Sequence, residues 1–217
     1  MPVKGVIFDF NGTLFWDTPL HNDAWDIFLE KHEMYLSDSQ KDQKIHGKNN
    51  NEILTSLFSK DLSSDEIKNL SIEKENIYQG LCLAKKIALA PGAIDFIEFL
   101  VEQRIPYTIA TASDIYNLEF YFKHLELDRY FEKSLVVYSD GNVKSKPHPE
   151  IFHKAMSKLN LNANEVLIFE DSIAGIKAAE NSNAQEIIIV NSNNDDYSKW
   201  NYQEIVDFSE VDRKLFM

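Results

Sequence analysis

The apolar run Val6-Ile7-Phe8 stops at Asp9, which opens the stretch Asp9-Phe10-Asn11-Gly12-Thr13-Leu14. A short continuous apolar run bounded by turn residues reads as a strand buried on both faces, the pattern of a parallel sheet. A carboxylate directly after such a strand lies at the sheet's carboxyl edge, where open α/β sheets bind ligands. Gly12 permits a sharp turn under a bound group, and the Thr13 hydroxyl can donate to that group.

The same pattern recurs. Val3–Phe8, Tyr107–Ala110, Leu135–Tyr138, Val166–Phe169 and Glu186–Val190 read as strands, with Ile205–Phe208 as a candidate sixth. Helical periodicity fills most gaps: Phe96, Ile97 and Leu100 after Pro91-Gly92; Ile115, Leu118 and Phe122; Ile151, Phe152 and Ala155 after Pro149; Ile173, Ile176 and Ala179. Alternating strands and helices predict an α/β domain, a Rossmann-like parallel sheet with helices on both faces. The first gap is too long for one crossover helix. Residues 16–87 hold helical patterns only: Leu20, Ala24, Trp25, Phe28 and Leu29; Ile53, Leu54, Leu57 and Phe58; and a run to Leu81 opened by a Ser63/Glu66 capping box. This predicts an inserted all-helical domain at 16–87 and a core made of 1–15 and 88–217.

Composition narrows the function. The 217-residue chain carries 35 acidic against 22 basic side chains, a formal net charge of −13, which argues against non-specific nucleic-acid or anionic-membrane binding. Cys82 is the single cysteine, so no intrachain disulfide forms. No segment approaches transmembrane length, and the N-terminus runs straight into a strand. A cytoplasmic protein, monomeric or weakly homodimeric, is the expectation.

Three further segments follow the first: Thr111 in Thr108-Ile109-Ala110-Thr111-Ala112-Ser113; Lys146 in Lys144-Ser145-Lys146-Pro147; and Glu170-Asp171 after Val166–Phe169. Each alone has a plain reading as a turn, a loop lysine or a helix cap. Together, in this order and strand context, they resemble the haloacid dehalogenase superfamily, in its β-phosphoglucomutase-like, phosphatase branch with a helical cap. That resemblance implies an Mg2+-dependent phosphatase acting on a small phosphorylated metabolite, of the sugar monophosphate type, through an aspartyl-phosphate. It assigns Asp9 as nucleophile, and Thr111 and Lys146 to the phosphoryl oxygens. Asp9, the Asn11 main-chain carbonyl, Glu170 and Asp171 become the metal group. Gly12, Thr13, Ala112 and Ser113 line the phosphoryl site.

The chain departs from the family at Asn11, where phosphatases and mutases usually carry Asp as acid and base. An amide cannot shuttle a proton. Slow turnover or a persistent phospho-aspartate is therefore expected, with a sugar phosphomutase and a phosphate-binding regulator as alternatives. In the helical segment, His21, Gly47, Lys48 and Lys74 resemble substrate-facing cap residues.

Overall fold

A computed structural model describes residues 2–58 and 61–217. Six strands form one parallel sheet in the order β3-β2-β1-β4-β5-β6. They are β1 (Gly5–Phe8), β2 (Tyr107–Asp114), β3 (Val137–Ser139), β4 (Val166–Glu170), β5 (Glu186–Val190) and β6 (Gln203–Ile205). The α/β, Rossmann-like architecture anticipated from the alternating pattern is the one observed.

Side-chain alternation explains the two-faced core. Val6, Phe8, Leu167 and Phe169 point to one face, where α5 (Ala93–Glu102) and α6 (Ile115–His124) pack. Ile7, Val166 and Ile168 point to the other, under α7 (Glu150–Leu159) and α8 (Ile173–Asn181). Successive strand residues face opposite sides, so continuous apolar runs are what a doubly covered sheet requires. Phe8 stacks on Phe169 at 5.4 Å, joining the two central strands.

Between β1 and α5 lie four helices: α1 (Thr18–Lys31), α2 (Asp38–Lys44), α3 (Asn50–Leu57) and α4 (Ser64–Leu83). They gather a separate apolar cluster that includes Trp25, Phe28, Leu29, Ile45, Ile53 and Leu54. The Ser63/Glu66 capping box opens α4 as its spacing predicts. No helix among the described residues is long and apolar enough to cross a membrane.

Three local expectations are corrected. Helix α2 has no counterpart in the apolar pattern, because its seven residues are polar. It is held instead by a Ser37/Gln40 capping box and by Lys41, whose ammonium reaches Asp26 at 2.8 Å. The candidate strand Ile205–Phe208 runs two residues earlier, as β6. There the Asp207 carboxylate accepts from Ser209 N–H and turns the chain into a 3-10 turn at Phe208. Leu135 likewise falls in a 3-10 turn before β3.

Candidate active site

Strand order reverses around β1, which lies between β2 and β4. The carboxyl ends of these three strands therefore meet at a switch point, the place where open α/β sheets bind ligands. Asp9 follows β1, Thr111 and Ser113 lie in the last half of β2, Glu170 ends β4 and Asp171 follows it. Lys146 comes from the loop between β3 and α7.

Lys146 Nζ donates to Asp9 Oδ1 at 2.5 Å and also to Glu170 Oε1. The lysine is 2 % exposed, with its ammonium 5.2 Å from the centre of the Phe152 ring. Burial works against its charge, but Asp9 and Glu170 outweigh this and push its pKa up. Asp9 is raised as well. Burial is the main cause, Lys146 opposes it and Glu170 adds to it, and the carboxyl rises from 3.8 to about 7. Asp171, which also lines the cleft, is raised well above the usual carboxylate range by withdrawal from water and by Glu170 and Asp9.

Two glycines admit these carboxylates. A Cβ at Gly12, whose φ is +84°, would lie 2.0 Å from Asp171 Oδ2. One at Gly175 would lie 1.9 Å from the Glu170 carboxyl carbon. Thr13 is buried and donates to Asp171 Oδ1 at 3.1 Å, so its hydroxyl orients a carboxylate. Glu170 Oε2 accepts from the N–H groups of Asp171 and Ser172, each at 3.0 Å.

The donor set suits a hard divalent cation. Ligand oxygens of Asp9, Glu170 and Asp171 lie within 4.8 Å of one another. Asp9 and Asp171 are both raised, chiefly by burial and further by the neighbouring carboxylates, and a bound cation would offset both effects. Both Glu170 oxygens already hold donors from the protein, so Asp9 and Asp171 carry the freer oxygens.

The family model for haloacid dehalogenase-like hydrolases matches residues 3–183. The chain belongs to this family. A phosphorylated-carbohydrates phosphatase of Thermotoga maritima is 28% identical over 199 residues, covering 89% of this chain and 88% of the relative. The crystal structure of a haloacid dehalogenase hydrolase of family IA, variant 3, from Entamoeba histolytica is 31% identical, with a TM-score of 0.87 over 98% of this chain and 97% of that one. A β-phosphoglucomutase structure from Clostridium difficile shares the fold, with a TM-score of 0.81 at 23% identity, over 98% of this chain and 94% of that one.

In this haloacid dehalogenase-like hydrolase, a cleft of about 500 Å3 lies between the sheet edge and the helical segment. Asp9, Asn11, Ala112, Ser113 and Asp171 line it from the core. His21, Gly47, Lys48 and Lys74 line it from the helices. Gly47, at φ +75°, packs where a Cβ would meet Ser172 Oγ at 2.8 Å, so it is a docking point against the start of α8. Lys48 turns its ammonium to Gln43 O at 2.8 Å. Lys74 is 2 % exposed and donates to Glu75 Oε1 at 2.9 Å and to His21 Nδ1 at 3.1 Å.

Several residues that shape the cleft escape sequence reasoning. Glu75 is buried and accepts from Asn50 and from Asn117 of α6, at 2.6 and 2.7 Å. Burial opposes its charge, but Lys74, His21 and Asn50 hold its pKa below the usual range. Asn11 donates to Asp17 and to Tyr121, and Tyr78 donates to the same Asp17. Burial first, and Asp17 second, push both phenols well up, so they stay protonated. Asp17 carried a usable signal: an acid just before a helix and just after the first motif.

Proposed function

We propose that the protein is a phosphatase that removes the phosphoryl group of a small, carbohydrate-type phosphorylated metabolite through an intermediate on Asp9. One observation carries this reading. Asp9 lines the cleft with Oδ1 taken by Lys146, whereas its second oxygen has no protein donor among the described residues. A carboxylate held this way is oriented for attack and cannot rotate freely.

Phosphoryl transfer depends on positioning and charge neutralisation. Lys146 neutralises Asp9 and can follow the phosphoryl oxygens; Ser113 lines the cleft, while the buried Thr111 turns its hydroxyl to Asn11 Oδ1 at 3.2 Å. Asp9 and Asp171, with Glu170 beside them and the main-chain carbonyl of Asn11, would hold Mg2+, the cation suited to oxygen donors. Mg2+, when bound, supplies charge compensation for the phosphoryl oxygens. The helical segment, near residues 16–87, acts as a cap that dehydrates the site, since Gly47 docks on α8 and Asn49 Nδ2 donates to Ser145 Oγ at 2.6 Å.

Asn11 leaves the site without a carboxyl group at the expected acid/base position. Proton transfer there is typically worth about 10²–10⁴-fold. Slow release of phosphate from Asp9 is the consequence, with better rates for activated leaving groups. The Thermotoga relative's action on phosphorylated carbohydrates supports the substrate class. Phosphate release from a panel of sugar phosphates, with and without Mg2+, tests the reading. Multiple turnovers lost in Asp9→Asn are expected; turnover retained in Asp9→Asn would overturn it.

A further inference from the structure

The Asn11 amide is a junction of hydrogen bonds. Its Nδ2 donates to Asp17 Oδ2 at 2.7 Å and to Tyr121 OH at 2.8 Å. Its Oδ1 accepts from Ser113 Oγ at 2.8 Å and Thr111 Oγ1 at 3.2 Å. An amide has one donor end and one acceptor end, and a carboxylate only accepts. The identity of the neighbour at Nδ2 therefore fixes which end faces the phosphoryl site.

That neighbour is fully buried. Asp17 is 0 % exposed, and its Oδ1 accepts from Gly12 N–H at 3.1 Å. Its Oδ2 accepts from Tyr78 OH and lies 3.2 Å from His21 Nε2. Lys74 Nζ has only protons to offer and meets His21 at Nδ1, so the ring's Nε2–H points to Asp17. Each neighbour of Asp17 is a donor, and the Asn11 amide is one of them.

We propose that Asp17 is the positioning residue for Asn11, and that the two are a matched donor–acceptor pair with room for a single carboxylate. Asp17 holds the amide so that its carbonyl oxygen collects the hydroxyls of Thr111 and Ser113. The carboxylate missing from position 11 thus stands one hydrogen bond away, at position 17. Asn11→Asp alone would set acceptor against acceptor across this 2.7 Å contact. Adding Asp17→Asn lets position 17 donate and restores this bond, at the cost of the contact from His21 Nε2–H.

The kinetic consequence rests on the phosphatase reading; the pairing does not. The test compares wild type, Asn11→Asp, Asp17→Asn and the double variant in a cycle. Thermal midpoints are read without metal, and kcat and KM with Mg2+ and p-nitrophenyl phosphate. Each single change is expected to lower the midpoint by about 3–8 °C, and the double variant to recover at least half of the larger loss. Asp17→Asn should lower kcat about tenfold or more with KM changed less than about threefold, and the double variant should exceed both singles in kcat. Additive losses in the midpoint, an unfolded double variant, or Asn11→Asp as active as the double would overturn the proposal. If wild type does not turn over, the phosphatase reading fails, and the thermal cycle alone decides the pair.

Discussion

A side chain at Gly175 would occupy the space of the Glu170 carboxyl group: the first carbon would fall 1.9 Å from its Cδ. The first turn of α8 thus lies directly against the carboxylate that shares Lys146 with Asp9. Gly175→Ala is expected to displace Glu170 and lower stability by about 1–3 kcal/mol, the usual range for overpacking. Phosphate release should fall with it. Denaturant unfolding checks the first effect; an unchanged midpoint would show that Glu170 moves aside at no cost.

Among the described residues, Lys146 is the single cation paired with Asp9 and Glu170. Lys146→Met should destabilise the metal-free protein by about 3–5 kcal/mol, since removing one partner strands buried charge. Saturating Mg2+ should recover part of that loss. Thermal melts of both proteins with and without Mg2+ measure it; a larger Mg2+ response is expected in the variant.

On the proposed reading, protons and a bound cation compete at Asp9. Its carboxyl rises from 3.8 in the free chain to about 7 in the metal-free fold. The folded state therefore holds a proton that the unfolded chain releases across that interval. Metal-free stability from this group is greatest below about pH 4 and declines up to about pH 7. A bound cation needs the deprotonated carboxylate. The Mg2+-induced rise in melting temperature should accordingly be larger at about pH 8 than at about pH 5. Equal shifts at both would contradict the assignment.

Asn117 Nδ2 meets Glu75 Oε2 at 2.7 Å and ties α4 to α6 across the cleft. Asn117→Ala removes this charge-assisted hydrogen bond and the one that Asn117 Oδ1 accepts from Gln79 Nε2 at 3.0 Å, and a loss of about 1.5–3 kcal/mol is expected. Because the bond joins the two walls of the cleft, KM for phosphate release should rise more than kcat falls. Steady-state kinetics on one substrate separates the two.

What was legible followed from burial. Val6-Ile7-Phe8 and Val166–Phe169 are covered on both faces, so their apolar runs announce strands, and the carboxylates after them mark the sheet edge. Where stability comes from polar contacts, the pattern disappears. Helix α2 has no apolar stripe, and β2 continues through the polar Thr111, Ser113 and Asp114 because it is paired with β3. The network around Asn11 joins residues 17, 21, 78, 113 and 121, which only the closed fold brings together. Lys74 and Glu75 look like an exposed charged pair on a helix, yet both are 2 % exposed. Their burial depends on Trp25, His21 and Asn117, contributed by other helices.

The most direct test of the account is to trap the phosphoryl group. The protein is incubated with Mg2+ and a substrate found in the phosphate-release panel, quenched in acid and reduced with borohydride, which converts an acyl phosphate to the alcohol. Peptide mass spectrometry should then find homoserine in place of Asp9, and in no other acidic residue. Turnover with Asp9 unmodified, or reduction at a different carboxylate, would contradict the assignment of Asp9 as the nucleophile.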